Sequence, residues 1–358
     1  MRKFLRFLVI LLIVLFCLFM LLIVAFKVRN ALFLGSAEKE YVEYLNRNKK
    51  IFDGTTFFHE GSRDFFGGRE EGKVILLGEN HGHAEVQEVD KSLLIYLNRT
   101  KGVRYYVAEI DSLKARRLNA YLAGEIRNDS LLRSIVADSE NNMPQQAVRE
   151  MFDKWSDIYD YNRTLPDSMR ISVIGVDIVP GTMEKIDRDR AMAANFIAAV
   201  RERGLERESF YGLFGLFHVL QEAVNTGNVH PFAALLKEAG FGVESIACMD
   251  LDSEMYLPGN KVIHTPESGK TKWMGMDGPI ILVKGIYDLK AASRRNTITL
   301  FALNRDRSPY RNSRKLTGAR VNIYGQEDMV PSNESAVTTD FVQYVILLRD
   351  AGATTPLK

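Results

Sequence analysis

The chain has 358 residues, 46% hydrophobic and 26% charged, with two cysteines, a composition that excludes an intrinsically disordered protein and a disulfide-stapled one. The formal charge of +2 comes from the N-terminus: residues 1–30 hold five basic residues and no acidic one, leaving 42 basic against 45 acidic residues in the body. A weakly acidic body has no global electrostatic drive toward nucleic acid, and the basic pairs Arg116-Arg117 and Arg294-Arg295 read as solvated faces.

Phe7 to Phe26 is an unbroken run of 20 apolar residues, enough at about 1.5 Å per residue to cross a ~30 Å hydrocarbon core. A cleaved signal peptide has a shorter apolar core of about 7–15 residues. The small residues Gly35-Ser36-Ala37 lie beyond the run and beyond Lys27 and Arg29. Residues 1–30 therefore read as an uncleaved membrane anchor. Three basic residues precede the run and two follow it, so the positive-inside rule favours a cytoplasmic N-terminus and a periplasmic or extracellular body. Cys17 follows the bulky Phe16 inside the run, which speaks against a lipoprotein cysteine, and Cys248 reads as a small buried apolar residue. Four Asn-x-Ser/Thr sequons, at Asn98, Asn128, Asn162 and Asn333, matter only in a host that glycosylates.

Residues 31–69 read as a connector, helical over 38–50, and 70–358 as one domain without repeats or a Pro/Gly/Ser-rich linker. Lys73 to Gly78 is an apolar run that predicts a buried strand, and the apolar spacing after Ala84 predicts a helix to Leu97. Further strands are expected at 103–110, 171–178, 210–218, 243–250, 279–284, 297–303 and 341–348, with Gly212 and Gly215 weakening the 210–218 assignment. Helices are expected at 112–123, 127–138, 144–161, 185–201 and 231–239. Strands alternating with helices predict an α/β fold with a largely parallel central sheet covered on both faces, preceded by a transmembrane helix.

Ligands of open α/β sheets bind at the carboxyl ends of strands. Glu79, His81 and His83 follow the first body strand, Glu109 lies in the second, Asp177 in the third and His218 in the fourth. In Gly78-Glu79-Asn80-His81-Gly82-His83, Glu79 is placed to orient an imidazole and His81 to act as a base near neutrality. The plain alternative is a surface loop with two exposed histidines. His81-x-His83 also has the spacing of a metal pair, with His218, Glu109 or Asp177 to supply further ligands, so a divalent metal stays open although no cofactor is required. Glu109 and Asp177 are either ion-paired structural groups or site groups, and His218 is either a satisfied structural histidine or a site residue. Arg188 opens a helix, where it can bind a substrate carboxylate, hold a catalytic acid or salt-bridge its own first turn. His59, His230 and His264 have no comparable context.

The blocks VILLGENHGHAEVQEV, YYVAEID, IGVDIVPG, RDRAMAAN and GLFHV, and the ending FVQYVILLRDAGATTPL, resemble the erythromycin-esterase-like family. The likeness runs in outline over residues 70–350, and its most specific part is RD-x-x-MA-x-N together with HG-x-x-E. It implies an α/β hydrolase that cleaves a small-molecule ester with water activated by a histidine, a role that falls on His81. Glu79, Glu109 and Arg188 match the family's other polar positions, and His218 its later histidine. The esterases place two residues between Glu and His, whereas Asn80 alone separates Glu79 from His81. That shorter form resembles ChaN-like haem-binding and TIKI-like metalloprotease relatives, whose chemistry is the alternative the resemblance leaves open.

Overall fold

The structure is a computed structural model that describes residues 2–52, 65–66, 71–140, 143–179, 187–225, 229–259, 264–322, 327–329 and 331–357. Eight strands form the central sheet: β1 (Lys49–Phe52), β2 (Lys73–Glu79), β3 (Tyr105–Asp111), β4 (Ser172–Asp177), β5 (Phe210–Gly215), β6 (Gly242–Leu251), β7 (Ile298–Ala302) and β8 (Tyr344–Arg349). Their spatial order is β1-β7-β8-β6-β2-β5-β3-β4. All pairings from β8 through β4 are parallel, and β1 and β7 add antiparallel strands at one edge. The sheet is largely parallel, as the alternation of elements predicts.

The apolar runs follow from burial on both faces. In β2, Ile75 and Leu77 pack into one core, with α3 (Ala84–Lys101), α4 (Ser112–Ala123), α5 (Asp129–Ala137) and α6 (Arg149–Arg163). Val74 and Leu76 point the other way, toward α7 (Arg188–Glu202) and α8 (Phe232–Glu238). A strand alternates sides at every residue, so one buried on both sides has no polar positions to spare.

The N-terminal helix α1 (Arg2–Leu34) is long and apolar enough to cross a membrane, and its apolar side chains from Phe4 to Val28 are exposed except for the half-buried Ile23. The expected helical connector is the helix α2 (Lys39–Arg47), but the chain then adds β1 to the sheet edge. Tyr44 and Leu45 are buried in a third core with Leu34, and the Tyr44 hydroxyl donates to the Ala302 carbonyl at 3.0 Å.

Other boundaries move for local reasons. The strand expected to reach His218 ends at Gly215, and residues Leu216–Val219 form a 3-10 turn. An added Cβ at Gly78 would lie 2.3 Å from Val219 Cγ2, so the glycine at the end of β2 makes room for that turn. The helix expected over 144–161 is split into a 3-10 turn, Pro144–Gln146, and α6. Ile281–Val283, expected as a strand, belongs to a separate small sheet with Ala319–Val321 and Glu327–Met329. The segment before β8 is helical at Thr338–Phe341.

Two sequon asparagines are structural. Asn98 and Asn162 are buried; Asn98 donates to the Val103 and Met169 carbonyls and accepts from Tyr161, while Asn162 bonds both backbone groups of Ile171. Asn128 caps α5. Cys248 is buried in the core, as read, and Cys17 is exposed on α1.

A buried ion pair ties α3 to α6: Asp90 accepts from Lys154 at 2.8 Å, from Tyr106 at 2.9 Å and from Tyr211 at 2.7 Å. Burial and the neighbouring Asp90 charge push both tyrosines well above their usual 10, so they serve as neutral donors. Removing one partner of a buried pair leaves an uncompensated charge. Lys154→Met should therefore cost about 3–5 kcal/mol in urea unfolding, and a loss below about 1 kcal/mol would show that the pair does not hold the two helices.

Candidate active site

Four neighbouring strands, β2, β5, β3 and β4, point their carboxyl ends at one crevice. Glu79 ends β2, Glu109 lies near the end of β3, Asp177 ends β4 and Gly215 ends β5. His81 sits in the loop after β2, His218 in the turn after β5, and Arg188 at the first residue of α7. Glu79, His81, Glu109, Arg188 and His218, separated widely in sequence, meet there.

Arg188 holds the cluster together. Its Nε donates to Asp177 Oδ1 at 3.0 Å and its Nη2 to Asp177 Oδ2 at 2.7 Å, while Nη2 also reaches Glu109 Oε1 at 2.6 Å. The other Glu109 oxygen accepts the Gly215 N–H at 2.8 Å. Burial favours the neutral acid, but the charges of His218, His81 and Arg188 and the Gly215 N–H outweigh it, and Glu109 is held below its ordinary range. The guanidinium fork is engaged by protein carboxylates, which leaves only its Nη1 edge turned toward His218, 3.4 Å from Nε2.

Each imidazole has a carboxylate behind it. His81 Nδ1 lies 2.8 Å from Glu79 Oε1, and His218 Nδ1 lies 2.7 Å from Asp189 Oδ1. Asp189 also accepts the Phe232 N–H at 2.7 Å, which fixes it against α8. Burial alone would lower both histidine pKa values. For His81 the charge and hydrogen bond of Glu79, with the Glu109 charge, reverse that and raise it above 6.5. For His218 the Asp189 hydrogen bond and the charges of Glu109 and Asp189 do the same.

With Nδ1 engaged, the Nε2 atom of His81 is the one left for chemistry. An added Cβ at Gly215 would lie 3.4 Å from His81 Nε2, 3.4 Å from His218 Cδ2 and 3.9 Å from Glu109 Oε2. The backbone at the end of β5 is thus bare on the side that His81, His218 and Glu109 face, and the space just beyond it is bounded by these three side chains. Beside it opens a cavity of about 270 Å³ lined by Glu79, His81 and His218 on one side and mainly by apolar side chains on the other. A second, more polar cavity of about 510 Å³ lies on the Glu109, Asp177 and Arg188 side.

His83 belongs elsewhere. It is buried, its Nδ1 lies 2.8 Å from the Glu254 carbonyl and its Nε2 lies 3.4 Å from Asp250 Oδ1. His81, His83 and His218 thus face three different partners. Among the described residues no three His, Cys, Asp or Glu side chains are grouped as a metal ion would need. His230 pairs with Glu238 and lies outside the crevice, and His59 lies outside the described residues.

Sequence reasoning missed the role of Asp189 as partner of His218. Its signal was weak, an acid next to Arg188 in a charged first turn of helix. It also missed the apolar wall, whose residues come from 281–283 and 316–321.

The chain matches no protein-family model and no curated protein sequence. Its fold is found among solved structures. A Bacillus cereus protein shares 13% identity at a TM-score of 0.58, over 88% of this chain and 98% of its own. A succinoglycan biosynthesis protein shares 12% at 0.56, over 89% and 98%. A mutant erythromycin esterase, EreC, in its open conformation shares 13% at 0.53, over 80% and 92%. At these identities the likeness concerns the fold, and the chain has the fold of the erythromycin-esterase-like proteins.

Proposed function

We propose that the protein is a membrane-anchored hydrolase that cleaves an ester of a small molecule with water activated by His81. The observation that carries the reading is the Glu79–His81 pair, whose open Nε2 faces the space beside Gly215. Glu79 holds the ring in the tautomer with a proton on Nδ1 and steadies the imidazolium that forms, as a carboxylate behind a catalytic histidine does. His81 Nε2 takes a proton as the water oxygen bonds to the carbonyl carbon. When the tetrahedral intermediate collapses, the same proton passes to the leaving oxygen, giving a carboxylic acid and an alcohol. His218, whose pKa the Asp189 hydrogen bond and the charges of Glu109 and Asp189 raise against burial, stabilises the oxyanion in its charged form. Arg188 is a positioning residue that fixes Glu109, and Glu109 in turn fixes Gly215 and the field around both imidazoles.

The helix α1 serves as the anchor in this reading. It continues unbroken past the apolar run to Leu34, whose side chain is buried in the body and whose carbonyl accepts the Gly285 N–H at 3.0 Å. The excess of basic residues before the run, three against two after it, supports a periplasmic or extracellular side for the domain, residues 70–358, with its packed connector 31–69. No nucleic acid is expected as a partner, and the reaction requires no cofactor.

Three outcomes test this reading. His81→Ala should lower ester turnover by about 10²–10⁴-fold with circular dichroism unchanged; wild-type turnover would remove His81 from the mechanism. The protonated ring is inactive as a base, so the acid limb of kcat/KM should lie above pH 6.5. Glu79→Gln removes the charge that opposes burial, so that limb should move to lower pH while kcat falls. A limb that stays in place would sever Glu79 from His81. Gly215→Ala puts a methyl group at ordinary contact distance from both histidines; it should fold normally yet lose about 10²-fold in kcat by displacing the reacting water. Full activity in this variant would place the water elsewhere.

A further inference from the structure

The wall of the apolar cavity beside His81 is also the surface on which α1 rests. In the three-residue strand Ile281–Val283, Ile281 and Val283 line the cavity. The alternate residue, Leu282, lines a groove of about 840 Å³ against Leu22, Phe26 and Leu34 of α1. One strand thus separates the reacting centre from the end of the apolar helix.

That arrangement is fixed by specific bonds. Arg29 donates to the Asn322 side chain at 3.0 Å, Arg320 stacks over Phe33 at 4.2 Å, and Asn322 donates to the Pro279 carbonyl at 3.0 Å. Lys27 and Arg29 mark the level of the lipid headgroups, because charged groups do not sit in the hydrocarbon core. Gly278 and Pro279 share the groove with Leu22, Ile23 and Phe26, which lie inside the apolar run. The strand that walls the cavity therefore stands at the bilayer surface. The cavity is slim, about 270 Å³, just below the ~300–1,000 Å³ of pockets that enclose drug-sized ligands. Its lining away from the polar cluster is mainly apolar, with Leu216, Met249, Met276, Leu316 and Val342 among the side chains and Thr317 the polar exception.

We propose, resting on the hydrolase reading above, that the substrate is an ester drawn from the bilayer: a lipid or lipid-like amphiphile whose hydrocarbon chain fills this cavity and whose ester carbonyl lies over Gly215. Anchoring then does chemical work, since a bilayer-held substrate meets the wall of the site without crossing water. A polar, freely soluble ester would gain nothing from either the apolar lining or the position.

The test uses the full chain reconstituted in phosphatidylcholine vesicles, with acetyl, octanoyl and palmitoyl esters of one fluorogenic alcohol. Each methylene buried from water is worth up to about a factor of four, so the six methylenes added from acetyl to octanoyl set a ceiling of about 4 × 10³, and kcat/KM should rise by at least about a hundredfold. Val283→Trp should compress the octanoyl-to-acetyl ratio toward one, and Ala319→Leu, a milder filling, should compress it part-way if the larger change disturbs folding. Equal kcat/KM across chain lengths would overturn the lipid substrate and leave the hydrolase reading standing. Absence of turnover with every ester would instead overturn the hydrolase reading. In that case a fluorescent long-chain ether reads the chain site directly: binding weakened by Val283→Trp supports it, and failure to bind overturns it.

Discussion

The site depends on one ionic contact, the guanidinium of Arg188 held between Asp177 and Glu109. It joins the start of α7 to the ends of β4 and β3, and through the second oxygen of Glu109 it reaches the backbone of β5. A carboxylate as buried as Glu109 is costly unless it is paired and fully hydrogen-bonded. The pairing is met only when α7, β3, β4 and β5 are in register, so the contact that makes Glu109 tolerable also sets the geometry of the crevice.

The same contact leaves a charge imbalance that defines the chemistry. The charges of Glu79 and Glu109 act on His81, and those of Glu109 and Asp189 on His218, against the single guanidinium of Arg188. The surplus negative field lifts both imidazoles above their ordinary value despite burial. His81 and His218 are not equivalent, however. His81 presents its Nε2 to open space above Gly215, while His218 Nε2 lies near Arg188 and Glu109. His81 thus turns a ring nitrogen toward the crevice, while the His218 ring is enclosed by Asp189, Glu109 and Arg188.

Much of this was legible in the sequence for physical reasons. The run Val74 to Leu77 has no polar position because both faces of β2 are buried, and that pattern alone marks a strand inside a parallel sheet. The placement of Glu79, Glu109, Asp177 and His218 near strand ends follows from such runs, and the sheet order then brings β2, β5, β3 and β4 side by side. The order itself was not legible, because β5 enters between β2 and β3 by long-range pairing that no local pattern encodes. Nor was β1, four residues at an antiparallel edge whose strand character comes from pairing with β7. His83 looked like a partner of His81 by spacing, yet its environment is set by Asp250 and the 254 carbonyl, both about 170 residues away. The apolar cavity wall comes from short strands and turns around 281 and 319, where side chains share a surface only after folding.

In the proposed reaction His81, poised by Glu79, is the base that activates water. The most direct measurement is the titration of the His81 imidazole by NMR in specifically labelled protein, set beside the acid limb of kcat/KM for ester hydrolysis. The expected result is that both fall at the same pH, above 6.5, and move together in Glu79→Gln. A kinetic limb that departs from the His81 titration, or an imidazole that titrates below 6.5 while hydrolysis proceeds unchanged, would contradict it.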